Sequence, residues 1–319
     1  LSSAAKADTI SEAKAENGFM LYSGAALALN TELLAAFRKQ YPFVKESKLV
    51  RAGGPALFER IETEYRAGRV LGDVIFTAGT VWPKWVEEGK ILKYDSPEYK
   101  YYPPEYKIDG YVAAVRAATM TLATNTQRVG KQIRPRRYQD LLRPEFKDGV
   151  IGIADARQSN QGREWYTVTR HYLGRDFMVK LAQQRPLVIR GGGDLIARLI
   201  SGEVGVAVQT SDRAIAAKRK GAPIEVAWPE EGVVLAPGYA GIMAKAPHPA
   251  TAKLFMDFLM GGKGLDILAT KGAYHILRQG TQPAPDVPGV SALKIWKFDE
   301  KKIAEMTNEI NKEFSELFT

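Results

Sequence analysis

The chain has 319 residues, 45% of them hydrophobic and 25% charged, which is the composition of a globular protein of about two domains. Its 45 basic and 36 acidic side chains give a net charge of +9. The short basic runs carry no interleaved aromatic residues, so we expect solvated faces and no nucleic-acid groove. The absence of cysteine excludes disulfides, thiolate metal sites and cysteine nucleophiles.

Membrane insertion is not expected, because no apolar run approaches the roughly 20 residues that span a bilayer. The sequence starts at Leu1 without a methionine, which leads us to expect a secretory signal that has been removed.

Residues 20–88 predict three strand–turn–helix units in succession, with the first two helices at about 27–40 and 55–67. Each strand ends in small residues, and these turns are Ser23-Gly24, Gly53-Gly54 and Thr77-Ala78. In an open α/β sheet, ligands bind at the carboxyl ends of the strands, where the N–H groups of the following helices point at them. We therefore predict ligand contacts from all three turns, with plain strand-to-helix turns as the alternative.

The next stretch, 94–111, is rich in tyrosine and proline. We interpret it as an ordered surface loop, with an aromatic platform for a ligand as the alternative. A long extended segment follows at 113–126. It contains Arg116, which we predict either to reach the ligand or to form a surface ion pair.

A second α/β region begins with a strand at 150–154. Ser159 and Asn160 open the helix that follows, and we predict that both contact the ligand. Arg190 ends a later strand and precedes three glycines, of which Gly192 and Gly193 are predicted ligand contacts. Glycine lets a backbone approach a ligand closely, and arginine can clamp a carboxylate or a phosphate. The alternative is a flexible loop, since the run is neither a Walker nor a dinucleotide-binding motif.

The other chemistry-bearing residues form no catalytic or metal-binding set. The three histidines have no metal-ligand spacing, and neither a Ser-His-Asp order nor a nucleophile elbow is present. Glu230 and Glu231 either pair as an acid and a base or brace a loop, and the second interpretation fits their surroundings better. We therefore expect no catalytic residue, no metal and no cofactor. The closing helical segment, 299–317, is expected to pack on the first domain.

Motifs along nearly the whole chain keep the order and spacing of a known family. They include Leu21-Tyr22-Ser23-Gly24, Gly72-Asp73-Val74-Ile75-Phe76, Ala123-Thr124-Asn125-Thr126, Ser201-Gly202-Glu203 and Pro229-Glu230-Glu231-Gly232. On these motifs the chain is similar to the periplasmic solute-binding proteins of ABC importers, in the branch that contains the ferric-ion binders.

The resemblance implies an α/β fold of the type II periplasmic-binding-protein kind, in which each of two lobes is a mixed sheet flanked by helices. Two hinge strands cross between the lobes near 117–125 and 234–241. Lobe one is then 1–118 plus 240–319, and lobe two is 124–234. The family's fold also implies that the ligand lies in a cleft between the lobes and that the hinge closes around it.

The chain departs from the ferric binders at the residues that follow the strand 204–208. The family commonly places a pair of metal-binding tyrosines there, whereas this chain has Gln209-Thr210-Ser211-Asp212. Neutral side chains cannot replace the anionic oxygen ligands that ferric iron needs. The resemblance therefore implies ligand contacts from Thr210 and Ser211, and from Tyr239 at the second crossing, with an anionic solute in place of iron.

These observations predict the substrate-binding component of an ABC transporter. It would capture a small carboxylate, phosphonate or phosphorylated compound in the periplasm and deliver it, as a monomer, to the membrane permease. One alternative is a ferric binder with a non-standard ligand set or a synergistic anion. Others are an enzyme on the same scaffold and the effector domain of a transcription factor, although no helix-turn-helix pattern and no nucleophile–base pair supports them.

Overall fold

The computed structural model describes residues 3–108 and 110–318 of the chain. The strands, in chain order, are β1 Gly18–Ser23, β2 Glu46–Arg51, β3 Val74–Ala78, β4 Lys107–Ile108, β5 Val112–Asn125, β6 Ile151–Ala154, β7 Leu187–Ile189, β8 Val206–Thr210, β9 Ile224–Ala227, β10 Val233–Ile242 and β11 Ile295–Trp296. The helices are α1 Ser3–Glu16, α2 Leu27–Gln40, α3 Gly54–Arg66, α4 Trp82–Glu87, α5 Asn160–Ala182, α6 Gly192–Ser201, α7 Ser211–Arg219, α8 Pro249–Met260, α9 Gly262–Thr270, α10 Glu300–Glu305 and α11 Thr307–Phe318. The predicted α/β class is confirmed.

The chain divides into two compact units. Unit 1 comprises Leu1–Ala117, Pro237–Gly272 and Ile276–Pro283, and unit 2 comprises Ala118–Ala236, Ala273–His275 and Ala284–Thr319. Among the described residues, no helix combines the length and the apolar character that crossing a bilayer requires.

Unit 1 is built on a mixed sheet in the order β2-β1-β3-β10. Strand β1 pairs parallel with β2 and β3, and β3 pairs antiparallel with the part of β10 from Gly238 to Ile242. Buried aromatic rings fill the space between β1, α2 and α8, with the rings of Phe19 and Phe255 only 4.6 Å apart between centroids. Parallel strands must be connected by crossovers, so the helices lie over the sheet and begin at its carboxyl edge.

Unit 2 has its own mixed sheet, in which β5, β8, β6 and β7 follow one another. Strand β6 pairs parallel with β7 and β8, whereas β8 and β9 pair antiparallel with β5. The core between the sheet and α5 contains Trp165, Tyr166 and Phe177, all almost fully buried. The predicted helix at the start of this unit therefore supplies much of its core.

The C-terminal segment does not pack where the sequence analysis placed it. We expected 240–319 to belong to lobe one and 299–317 to pack on the first domain, but residues 284–319 belong to unit 2. The reason is the apolar face of α11, where Ile310 and Phe314 are completely buried in the same core cluster as Trp165. Helix α5 needs this cover because its segment from Glu164 to Thr169 is buried throughout.

Candidate functional site

The three predicted turns of unit 1 lie at one edge of its sheet, where β1, β2 and β3 end. The strand register pairs Ser23 with Arg51 of β2 and with Phe76 of β3. The N–H of Gly24 donates to the carbonyl of Phe76 at 3.0 Å, and the N–H of Ala52 donates to the carbonyl of Ser23 at 3.3 Å. The structure therefore brings Ser23-Gly24, Gly53-Gly54 and Thr77-Ala78 together, which we call the strand-end edge of unit 1.

Two of these turns touch each other through a glycine. A Cβ atom on Gly24 would lie 2.5 Å from Thr77 Oγ1, so only glycine allows the two turns to approach this closely. Ser23 is buried, and its Oγ accepts the N–H of Ala25 at 3.1 Å, which braces the turn that leads to α2. Arg51, which the sequence analysis did not single out, also supports this turn, since its Nε donates to the carbonyl of Ala25 at 2.9 Å.

The helices at this edge begin without a side-chain cap. Ala26 precedes α2 and Gly53 precedes α3, and neither offers a side-chain hydrogen bond to the first N–H groups of its helix. Helix α8 of the same unit is different, because the carboxylate of Glu16 accepts the N–H groups of Ala250 and Thr251 at 2.9 and 2.8 Å. The first turns of α2 and α3 are therefore suited to the same kind of anionic partner.

Arg116 and Tyr239 lie beside the Thr77 turn. Tyr239 is the register partner of Thr77 in the antiparallel pair of β10 and β3. The guanidinium carbon of Arg116 lies 5.0 Å from the ring centroid of Phe76, within the range of a cation–π interaction. A Cβ atom on Gly238 would lie 2.7 Å from that carbon, so the glycine leaves room for the arginine. Both residues predicted from the crossing strands therefore adjoin the strand-end edge of unit 1.

In unit 2, three helices begin where the parallel strands β6, β7 and β8 end. Helix α5 is capped, because Ser159 Oγ accepts the N–H of Gly162 at 3.3 Å. Helix α6 follows Gly191 and helix α7 follows Thr210, and neither of these residues caps its helix with a side chain. Ser159 and Asn160 were both predicted to contact the ligand. The hydroxyl oxygen of Ser159 already accepts a hydrogen bond within the protein.

Two glutamines connect these helix starts. Gln161 Nε2 donates to Gln209 Oε1 at 3.0 Å, and Gln209 Nε2 donates to the carbonyl of Gly192 at 2.9 Å. The N–H of Thr210 also donates to Gln209 Oε1, at 2.8 Å. Helices α5 and α6 and the end of β8 are therefore held together at what we call the strand-end edge of unit 2. From the sequence we predicted contacts from Gly192 and Thr210 but singled out neither glutamine.

Arg213, in the first turn of α7, completes this group. Its Nη1 donates to Gln161 Oε1 at 3.3 Å and to Thr210 Oγ1 at 3.1 Å. From the sequence we expected Arg190 to be the cation of this region. Arg190 is exposed and makes no hydrogen bond or ion pair with the residues that the structure describes.

Ser211, another predicted contact, is turned into the interior of unit 2. It is completely buried, and its Oγ accepts the N–H of Thr119 at 3.1 Å. Thr119 Oγ1 lies 3.0 Å from Nε2 of the buried His275 and accepts the indole N–H of Trp228 at 2.9 Å. His275 Nδ1 lies 2.9 Å from the carbonyl of Pro288, so the ring proton is on Nδ1, and burial lowers the pKa of His275.

The remaining candidates were a catalytic role for the Glu230–Glu231 pair and a metal site. Glu231 accepts the N–H groups of Tyr138 and Gln139 at 3.1 and 3.2 Å, as expected for a residue that braces a loop. Across 3–108 and 110–318, no group of three or more His, Cys, Asp or Glu residues is arranged to hold a metal ion.

Solved structures of similar proteins support the fold, and one relative is similar in sequence over most of the chain. An uncharacterised protein of Haemophilus influenzae is 26% identical over 309 residues, which cover 91% of this chain and 87% of the relative. The periplasmic binding protein AfuA of Actinobacillus pleuropneumoniae, solved with fructose-6-phosphate bound, matches with a TM-score of 0.80 and 23% identity over 94% of this chain and 98% of its own. Iron-bound HitA of Pseudomonas aeruginosa matches with a TM-score of 0.79 and 18% identity over 95% and 99%.

The family model described as bacterial extracellular solute-binding protein matches residues 72–300, which is more than half of the sequence. The resemblance to periplasmic solute-binding proteins is thereby confirmed, and this chain belongs to the family of bacterial extracellular solute-binding proteins.

Proposed function

We propose that this protein is the substrate-binding component of an ABC importer and that it binds a small anionic solute. Membership of the solute-binding family supports a small-molecule ligand and a membrane permease as partners. Two of the similar solved structures, AfuA among them, are described as periplasmic binding proteins, which supports a periplasmic location. We propose no catalytic role and no cofactor.

The uncapped helix starts at both strand-end edges carry the proposal of an anionic ligand. Helices α2 and α3 of unit 1 and helices α6 and α7 of unit 2 begin there without a side-chain cap. The first N–H groups of a helix have no partner within the helix, and the helix dipole places partial positive charge on them. A small anion satisfies both requirements, as the Glu16 carboxylate does at the start of α8.

The proposed contacts follow from the two edges. In unit 1 we propose contacts from the three turns together with Arg116 and Tyr239. In unit 2 we propose contacts from the first turns of α5, α6 and α7 and from Thr210. The predicted closure of a hinge on binding stays a prediction, and small-angle scattering with and without the solute would test it.

The chemical class is a carboxylate, a phosphonate or a phosphorylated compound. AfuA, which shares the fold, was solved with fructose-6-phosphate, and this supports the phosphorylated class. The net charge of +9 favours any anion through long-range attraction. The similarity to iron-bound HitA keeps ferric iron as a second candidate, with Tyr239 and a synergistic anion as its ligands.

A thermal-shift panel tests the proposal. Fructose-6-phosphate, methylphosphonate, citrate, ferric citrate and uncharged fructose would each be added to the purified protein. A ligand that binds the native state alone stabilises it by about 2.7 kcal/mol at a hundredfold excess over its Kd. We expect at least one organic anion to raise the melting temperature and fructose to leave it unchanged. A shift with ferric citrate but not with citrate would overturn the anionic proposal in favour of iron.

A further inference from the structure

We infer that Arg213, rather than Arg190, is the residue of unit 2 that binds the anionic group of the solute, and that this group is a phosphoryl or phosphonyl group. The inference rests on the proposed function, which it makes more specific. It follows from how Arg213 is held, from the charges around it and from the atoms of its side chain that remain available.

The guanidinium of Arg213 is held in place by neutral groups. Nη1 has two hydrogen atoms, and its two acceptors are Gln161 Oε1 and Thr210 Oγ1. Gln161 is itself fixed by its hydrogen bond to the buried Gln209. A long side chain normally loses conformational entropy when it binds a ligand, and these contacts remove part of that cost in advance.

The surroundings of Arg213 differ from those of the other partly buried arginines of unit 2. Most of these pair with a carboxylate, and the pairs are Arg134–Glu225, Arg143–Asp140, Arg157–Asp155 and Arg170–Glu313. Arg163 is an exception that donates to the carbonyl of Arg157. Arg213 forms no ion pair with any described residue, although Asp194 and Asp212 stand in the first turns of α6 and α7. A partly buried cation without a counter-ion is suited to an anionic ligand.

The remaining donors of Arg213 form one edge of the guanidinium. Nε and Nη2 make no hydrogen bond to the described part of the chain, so this edge can donate to two oxygen atoms of one group. The start of α6 lies next to the guanidinium group, because a Cβ atom on Gly192 would be 3.0 Å from Arg213 Nη1. Gly193 follows in the uncapped first turn, with open space around it.

These donors match a group with three terminal oxygen atoms better than one with two. The arginine edge takes two oxygens and the first turn of α6 takes the third. A phosphate monoester and a phosphonate both present three such oxygens and carry up to two negative charges. A carboxylate has only two oxygens, and would satisfy either the arginine edge or the helix start.

The test uses inorganic phosphate as the first probe, because it presents the group without an organic remainder. Calorimetry would compare phosphate with acetate at matched ionic strength, and then fructose-6-phosphate with methylphosphonate to separate a monoester from a phosphonate. The variants are Arg213→Gln, which removes the charge, and Arg213→Lys, which keeps the charge but loses the two-donor edge. Arg190→Gln is the matched control in the same unit. Melting of each variant without ligand shows whether it folds.

We expect wild-type protein and Arg190→Gln to bind phosphate more tightly than acetate. Arg213→Gln should weaken phosphate binding about tenfold or more, because a hydrogen bond to a charged group is lost. The phosphate affinity of Arg213→Lys should lie between those of wild type and Arg213→Gln. This variant serves as the test if Arg213→Gln does not fold. Equal phosphate affinity of Arg213→Lys, Arg213→Gln and wild type would overturn the inference, as would a loss confined to Arg190→Gln.

The binding measurements with citrate and phosphate distinguish a failure of this inference from a failure of the proposed function. If citrate binds wild type tightly, Arg213→Gln binds it equally well and phosphate does not bind, the inference fails while the proposal of an anionic solute stands. If no anionic probe binds wild type, both fail.

Discussion

Single atoms decide the arrangement at the strand-end edge of unit 2, and Gly192 shows this most directly. A Cβ atom there would lie 2.2 Å from Gln161 Oε1 and 3.0 Å from Arg213 Nη1. Both atoms are at the ends of flexible side chains, so they can move aside at little cost to the fold. The absence of a side chain at Gly192 therefore matters more for the position of Arg213 than for stability.

The variant Gly192→Ala tests this interpretation. We expect Gln161 and Arg213 to be displaced, so that binding of the anionic probe weakens several-fold while the melting temperature changes by only a few degrees. Gly130→Ala is the matched control, because a Cβ atom there meets nothing closer than Gln132 Oε1 at 4.0 Å and Gly130 lies outside the strand-end edge of unit 2. Calorimetry and thermal melts of both variants provide the comparison. Equal binding by both alanine variants would show that the crowding at Gly192 does not matter for the ligand.

The sequence allowed the small-residue turns to be predicted, but not the polar group in unit 2. The turns follow from local patterns, since each small residue comes directly after an apolar strand. Gln161 and Arg213, by contrast, are 52 positions apart and meet only because α5 and α7 begin at the same sheet edge. We predicted Arg190 because of the glycines that follow it. These glycines do not indicate which arginine side chain is held in place by hydrogen bonds.

At the scale of elements, helices with a strong apolar face were predicted and those with small buried residues were not. Helices α2 and α3 match the predicted spans to within a residue or so. Helix α7 buries only Ser211, Ala214, Ile215 and Ala217, a face too weak to stand out in the sequence. The position of α11 was also wrong, because an apolar face predicts burial without specifying the partner.

The contribution of α11 to unit 2 can be measured with Phe314→Ala. Phe314 is completely buried, and its ring lies 5.4 Å from that of Tyr166. Removing a buried phenylalanine side chain typically costs about 3–5 kcal/mol, through lost transfer free energy and a residual cavity. We expect a lower urea midpoint and faster amide exchange in α5, whereas the exposed Lys312→Ala should behave as wild type. If Phe314→Ala increased the amide exchange rate less in α5 than in α2, the assignment of α11 to unit 2 would be contradicted.

At the scale of the whole molecule, unit 2 consists of three segments of the chain, and the shortest segment is Ala273–His275. The general α/β organisation could be predicted because strand and helix periods are local properties. The segment Ala273–His275 could not be predicted, since its side chains are buried against partners that lie far away in sequence. His275 lies 156 positions from Thr119, its hydrogen-bond partner through Nε2.

His275 should make the stability of the protein depend on pH. Burial lowers its pKa from the ordinary value of 6.5, with only a partial opposing effect from the Pro288 carbonyl and the charge of Asp212. As the pH falls below 6.5, the unfolded chain takes up a proton on this residue before the native protein does. The free energy of unfolding therefore decreases as the pH falls below 6.5, and the contribution of His275 is complete only above that value.

Urea unfolding between about pH 7 and about pH 5 measures this effect, which for one histidine reaches at most about 1.4 kcal/mol per pH unit. His275→Gln should be less stable than wild type at the upper pH, because it loses the imidazole ring that forms hydrogen bonds to both Thr119 and the Pro288 carbonyl. Its stability should decline less steeply on acidification, since the titrating group is gone. His171→Gln removes an exposed imidazole and is the matched control. If it flattened the profile as much as His275→Gln does, the pH dependence would have another origin than the buried ring.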